Sequence, residues 1–205
     1  MKPFRLMILV LTCVIAIGGC SQKTQESTTG KSEDLKPESA HSSSGPTAAA
    51  SSGSLKFTAP AGWISQSPAS SSRKAQYGLP RAEGDSEDAE LVVYFFEGGG
   101  GTPQANVDRW IGQFTRPDGG PASDTAKVVH KTINGVPLTI VDVSGTYAGS
   151  MGPMQQQERP KTHFRMLGAI AETAQGPWFF KLTGPAKTVA RWQSGFESLL
   201  DSINR

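Results

Sequence analysis

Six apolar residues in a row, Leu91-Val92-Val93-Tyr94-Phe95-Phe96, constrain the folding of this chain more than any other stretch. They are β-branched and aromatic, so they read as a strand, and no polar residue interrupts them to mark a solvent face. Such a strand is buried on both sides. It belongs inside a sheet with a layer packed above and below, and the globular region of about 150 positions, residues 55–205, is read around it.

The sequence supplies both layers. After Gly98-Gly99-Gly100-Gly101, Thr102 can cap a helix and Pro103 suits its first turn. Val107, Trp110, Ile111 and Phe114 then follow at i, i+3, i+4 and i+7, one apolar helical stripe. A second helix closes the chain, with Val189, Trp192, Phe196, Leu199, Leu200 and Ile203 at helical spacing and Gly195 marking a close helix-to-sheet approach. Between the helices the signals are antiparallel. Asn134-Gly135 joins strands over 128–133 and 136–143, and a turn over 173–176 joins strands over 162–172 and 178–182. Pro137 places its strand at an edge or a bulge. Upstream, residues 73–79 alternate Ala75, Tyr77 and Leu79 with polar neighbours until Pro80, and Phe57 to Trp63 reads as a strand, a Pro-Ala-Gly turn and a Trp folded back on the core. The fold class is α+β: an antiparallel sheet of about six to seven strands covered by two amphipathic helices, one on each face.

This order of elements, the opening Phe57–Trp63 segment with Pro60 and Gly62, and the Trp-bearing terminal helix resemble the Mog1p/PsbP-like fold. The resemblance implies an assembly or interaction protein without catalysis. No functional residue is carried over from it, because no position matches a motif.

The amino-terminal residues carry a different message. Lys2 and Arg5 precede an apolar run over residues 6–17, shorter than the roughly twenty residues a bilayer span needs. The run ends in Ile17-Gly18-Gly19-Cys20, which resembles the lipobox of a bacterial lipoprotein signal peptide, although the first position of that motif is more often Leu. The resemblance implies cleavage between Gly19 and Cys20, diacylglyceryl transfer to the Cys20 thiol, usually acylation of the new amino terminus, and an extracytoplasmic place in the cell envelope. Ser21 is not the Asp that signals inner-membrane retention in Gram-negative lipoproteins, so the resemblance favours the periplasmic face of the outer membrane there. With Cys13 removed and Cys20 acylated, no thiol remains for a disulfide or a cysteine metal site.

Residues 20–54 read as the lipidated Cys and a disordered tether. Ser21 to Ser54 holds ten Ser and four Thr, with Leu35 its only large aliphatic side chain, too little apolar surface to offset the entropy of ordering. As a flexible coil it spans about 30 Å. Three Lys against four acids leave it near neutral, and His41 within it is a solvated spacer residue.

Charge excludes one class of partner. Residues 55–205 hold 15 Lys plus Arg against 14 Asp plus Glu with no basic stripe, so nucleic acid is not expected. The glycine loop lacks the Gly-Lys-Ser/Thr entry of a phosphate-binding loop, because Gly101 is followed by Thr102-Pro103-Gln104. Glu83, Asp85, Glu87 and Asp88 form an acidic loop whose oxygens suit Ca²⁺ in type but not in EF-hand spacing. Met151, Met154 and His163 offer soft-metal ligands, while Met166 lies three residues from His163 and so on the opposite strand face. His130 reads as an ordinary strand histidine, and Asp142, between Val141 and Val143, as a paired structural carboxylate. No cofactor motif, Gly-x-Ser-x-Gly elbow or His-Glu-x-x-His pair is present, so no catalytic residue is assigned and the balance leans away from an enzyme.

Two functions follow. The first is a lipid-anchored domain that binds another protein, attached to the membrane through Cys20. The second is a domain that takes a small ligand or metal between sheet and helix, with or without hydrolysis. A concave site lined by convergent polar groups favours the second; a shallow surface with an exposed apolar patch favours the first.

Overall fold

The structure, a computed structural model, describes residues 55–149 and 159–205. The lipobox, the tether, Met151 and Met154 lie outside the described residues. No helix among the described residues is long and apolar enough to cross a membrane.

Eight strands and two helices follow in order: β1 (Ile64–Gln66), β2 (Arg73–Leu79), β3 (Ala89–Phe95), α1 (Pro103–Ile111), β4 (Phe114–Thr115), β5 (Lys127–Ile133), β6 (Val136–Tyr147), β7 (Lys161–Thr173), β8 (Gly176–Pro185) and α2 (Ala186–Asp201). The strands form one antiparallel sheet in the order β1-β2-β3-β8-β7-β6, and the outer side of β6 is shared by β5 and β4. The protein is α+β, with one more strand than the sequence suggests because two- and three-residue strands carry no periodic signal. The Asn134-Gly135 turn puts both residues at positive φ, 49° and 76°, the twist that a two-residue hairpin requires.

Each face of the sheet has its own core. On one face α2 lays Val189, Phe196, Leu199 and Leu200 over Leu91, Val93, Phe180 and Leu182, with Leu55 and Phe57 beside them. On the other, α1 lays Val107 and Trp110 over Val141, Val143, Met166, Ile170 and Phe179. The two layers differ in reach, sixteen residues for α2 against nine for α1. The apolar stripe suggests a helix through Phe114, but α1 stops at Ile111, and Phe114 reaches the same core from β4.

Three local readings change. Phe57 does not sit in a strand: the opening segment makes a single bridge, Lys56 to Asn204, before the turn at Gly62. Pro137 is neither on an edge strand nor at a bulge. It pairs with Thr132 of β5 at the end of β6, one residue before pairing with β7 begins at Leu138, so its missing N–H interrupts no ladder. Gly195 faces Pro60 and Trp63 of the opening segment, not the sheet, and a methyl there would meet them at 3.5 Å, ordinary contact distance.

Candidate functional site

The prediction of burial on both sides holds for Leu91, Val92 and Val93 and fails beyond them. Tyr94 and Phe95 are half-buried and Phe96 is 40% exposed. Phe95 turns to the α2 core, while Tyr94 and Phe96 lie on the α1 side at the carboxyl end of β3, where the nine-residue α1 covers them only in part. There a cleft of about 470 Å³ opens between α1 and the β3–β8 pair, within the range of about 300–1,000 Å³ common for small-ligand sites.

Strand alternation decides what lines it. On β8, Trp178, Phe180 and Leu182 face the α2 core, so Phe179 and Lys181 face α1. On β3, Tyr94 points the same way and lies opposite Phe179 in the pairing register. The aromatic wall is ordered: Tyr94 and Phe96 stack at 6.2 Å with planes 10° apart, and Phe179 sets its edge against Phe96 at 5.8 Å and Trp110 at 6.1 Å. Trp110 packs so closely on β7 that a methyl at Gly168 would come within 2.6 Å of its ring.

The polar groups come from β8 and from α1 and its exit. Lys181 donates to Gln113 Oε1 at 2.7 Å, and its ammonium stands 5.5 Å from the centre of the Tyr147 ring. The Lys181 pKa is lowered to about 8, by burial first and by the Arg109 guanidinium second, against an upward pull from Glu90. Glu90 is itself held by Gln76 at 2.7 Å and faces Arg73 at 3.8 Å. Arg109 hydrogen-bonds Asn106 Oδ1, and neither Arg109 nor Lys181 has an ion pair among the described residues.

Asn106, fully buried, also fastens the glycine loop. Its amide donates to Gly100 O at 2.7 Å and Thr102 O at 2.9 Å, while Thr102 Oγ1 caps Ala105 N at 3.2 Å. Gly100, at φ 95°, passes so close to Phe179 that a side chain would meet the ring at 3.0 Å. The loop is therefore a clamp on the cleft's aromatic floor, and its carbonyls turn inward to Asn106.

Among the described residues, the other sequence candidates do not converge. Asp85 accepts from Thr188 N at 2.9 Å and Thr188 Oγ1 at 2.6 Å, Asp88 from Arg81 N at 3.0 Å, and Glu87 from Lys161 Nζ at 2.8 Å, while Glu83 is exposed. No group of three or more acidic, His or Cys side chains suited to a metal occurs among the described residues. His163 is exposed at φ 58°, whereas Met166 is fully buried in the α1 core. His130 Nδ1 lies 3.2 Å from Thr139 Oγ1. Asp142 is in a bidentate pair with Arg165, two bonds of 2.8 Å, and Arg165 also donates to Gln193 of α2 at 2.9 Å.

No family model matches the chain, and no curated protein matches it. Among solved structures it is similar to the solution structure of cyanobacterial PsbP (CyanoP) from Synechocystis sp. PCC 6803, with a TM-score of 0.43 and 15% identity over 78% of this chain and 97% of that one. It is also similar to a crystal structure of a Pseudomonas aeruginosa protein of unknown function, with a TM-score of 0.42 and 14% identity over 63% of this chain and 81% of that one. Neither likeness says what the cleft holds.

Sequence reasoning missed Lys181, although a signal was present. It is the single charged residue in Trp178-Phe179-Phe180-Lys181-Leu182, a strand otherwise apolar on both faces. Asn106, Arg109 and Gln113 carried no signal, because polar residues on a helix ordinarily face water.

Proposed function

We propose that this chain is a lipid-anchored extracytoplasmic binding protein whose globular domain takes a small ligand in the cleft between α1 and the sheet. One observation carries the choice over a protein-docking surface: Lys181, Arg109, Asn106 and Gln113 converge on a concave space with aromatic walls. The exposed large apolar residues give a docking surface less support. Ile64, Val128 and Val129 sit on β1 and β5, toward opposite edges of the sheet, and Phe96 belongs to the cleft itself. The anchor reading rests on Ile17-Gly18-Gly19-Cys20, and the Ser- and Thr-rich composition of residues 21–54 supports reading them as a spacer. Binding without turnover is the reading, since the cleft joins cations and amides to aromatic rings with no carboxylate among its lining side chains.

Native mass spectrometry of the intact protein released from membranes tests this. A bound small molecule that disappears in Trp110→Ala supports the reading. Recovery of an empty protein together with a stoichiometric protein partner would return the function to protein docking.

A further inference from the structure

We infer that the ligand of this cleft is a flat aromatic carboxylate, its ring body against Tyr94, Phe96, Phe179 and Trp110 and its carboxylate received by Lys181 and Arg109. The inference rests on the small-ligand reading above and adds the chemistry of the ligand.

Two cations stand at the cleft, Lys181 and Arg109, neither of them with a carboxylate within 4 Å among the described residues. Most of the other described cations have none either, but these two line the cleft, Lys181 beneath α1. Their protein partners are neutral amides: Gln113 Oε1 for Lys181 and Asn106 Oδ1 for Arg109. Amide oxygens orient a cation while leaving its charge uncompensated, and an ammonium retains two further donors after one bond. The charged groups facing Lys181 are Arg109 from α1 and Glu90 from β3; on β7 its register partner is Gly168, and from β6 it meets the Tyr147 ring. Glu90 is hydrogen-bonded by Gln76 and lies 3.8 Å from Arg73, and its effect on Lys181 is smaller than the opposed effect of Arg109.

The apolar half of the cleft argues for a planar body. Tyr94 and Phe96 are nearly parallel, and the Phe179 edge-to-face contacts with Phe96 and Trp110 build a slot of ring faces and edges. Aromatic guests gain from offset stacking and edge-to-face contact in such a slot beyond simple burial. Gly100 and Gly168 remove the side chains that would push Phe179 and Trp110 out of place.

The inference also sets a pH dependence. A carboxylate binds the protonated ammonium, and Lys181 loses its proton near pH 8, so affinity falls as pH rises through that value.

Isothermal titration of the intact chain in nanodiscs, with empty nanodiscs as blank, tests this with 2-naphthoate and its neutral match 2-naphthamide. The expected result is at least tenfold tighter binding of the acid at pH 7, loss of that preference in Lys181→Met, and at least a threefold weakening in Arg109→Gln. Lys181→Arg, which keeps the charge, should retain the preference and abolish the weakening above pH 8, a readout that a structural role alone would not move. Equal binding of acid and amide overturns the inference while leaving the small-ligand reading in place. No binding of either, with a bound small molecule still found by native mass spectrometry, overturns it in the same way. No binding of either and no native ligand removes both.

Discussion

Lys181 is the residue at which folding and binding oppose each other. A lysine whose folded pKa is depressed carries fewer protons in the native state than in the unfolded chain between about pH 8 and its ordinary value of 10.5. Where the unfolded state binds more protons, stability rises with pH. Domain stability should therefore climb from about pH 8 toward pH 10, by no more than about 1.4 kcal/mol per pH unit. It should fall again above about pH 10, because burial raises the pKa of Tyr77 and Tyr94 and their native protons resist loss. Urea titrations across this range measure the slope, and Lys181→Met should flatten its rising limb. A second prediction belongs to the neighbouring strand. Gly168→Ala would set a methyl 2.6 Å from the Trp110 ring, which is already held against Phe179, so overpacking should cost about 1–3 kcal/mol in the same assay. Neither residue announces this from sequence. A lone lysine in an apolar strand and a glycine in the next are visible, but their juxtaposition depends on a register that only the sheet supplies, in which Gly168 lies opposite Lys181.

At the scale of elements, legibility follows the length of the periodic signal. The α2 stripe, the Asn134-Gly135 hairpin and the β2 alternation each repeat over enough residues, or require a special enough turn, to be read directly. The end of α1 was not legible, because Phe114 keeps helical spacing while reaching its core from a two-residue strand. For the acidic loop the sequence shows oxygen ligands of the Ca²⁺ type and no partner nearby in the chain. In the fold its Asp85 serves α2. That helix starts at Ala186 behind Pro185, which offers no side-chain cap, and Asp85, 103 residues upstream of Thr188, accepts the Thr188 N–H and hydroxyl. A carboxylate at that end also complements the helix dipole. Asp85→Ala should therefore destabilise the domain by about 1–2 kcal/mol, with Asp85→Asn recovering part of the loss. Hydrogen exchange checks the location: protection should fall first in the opening turn of α2.

For the whole molecule, attachment and recognition are assigned to different parts of one chain, and this separation can be tested. The anchor reading depends on a single thiol, Cys20, behind an apolar run too short to span. One acyl chain holds a protein only marginally, while two or more, each contributing about 0.8 kcal/mol per buried methylene, make release slow. Cys20→Ser removes every chain at once if processing depends on that thiol. Membrane fractionation should then show the domain lost from the acylated membrane pool, with a mass lacking diacylglycerol. The cleft residues lie between Tyr94 and Lys181, far along the chain from Cys20, so Cys20→Ser should leave the affinity for 2-naphthoate within about twofold of the parent protein. A mutant that keeps the parent's mass and membrane association would remove the lipoprotein reading and leave the cleft untouched. A mutant that is released and also loses ligand would mean instead that the bilayer contributes to the site, which the division between anchor and cleft does not allow.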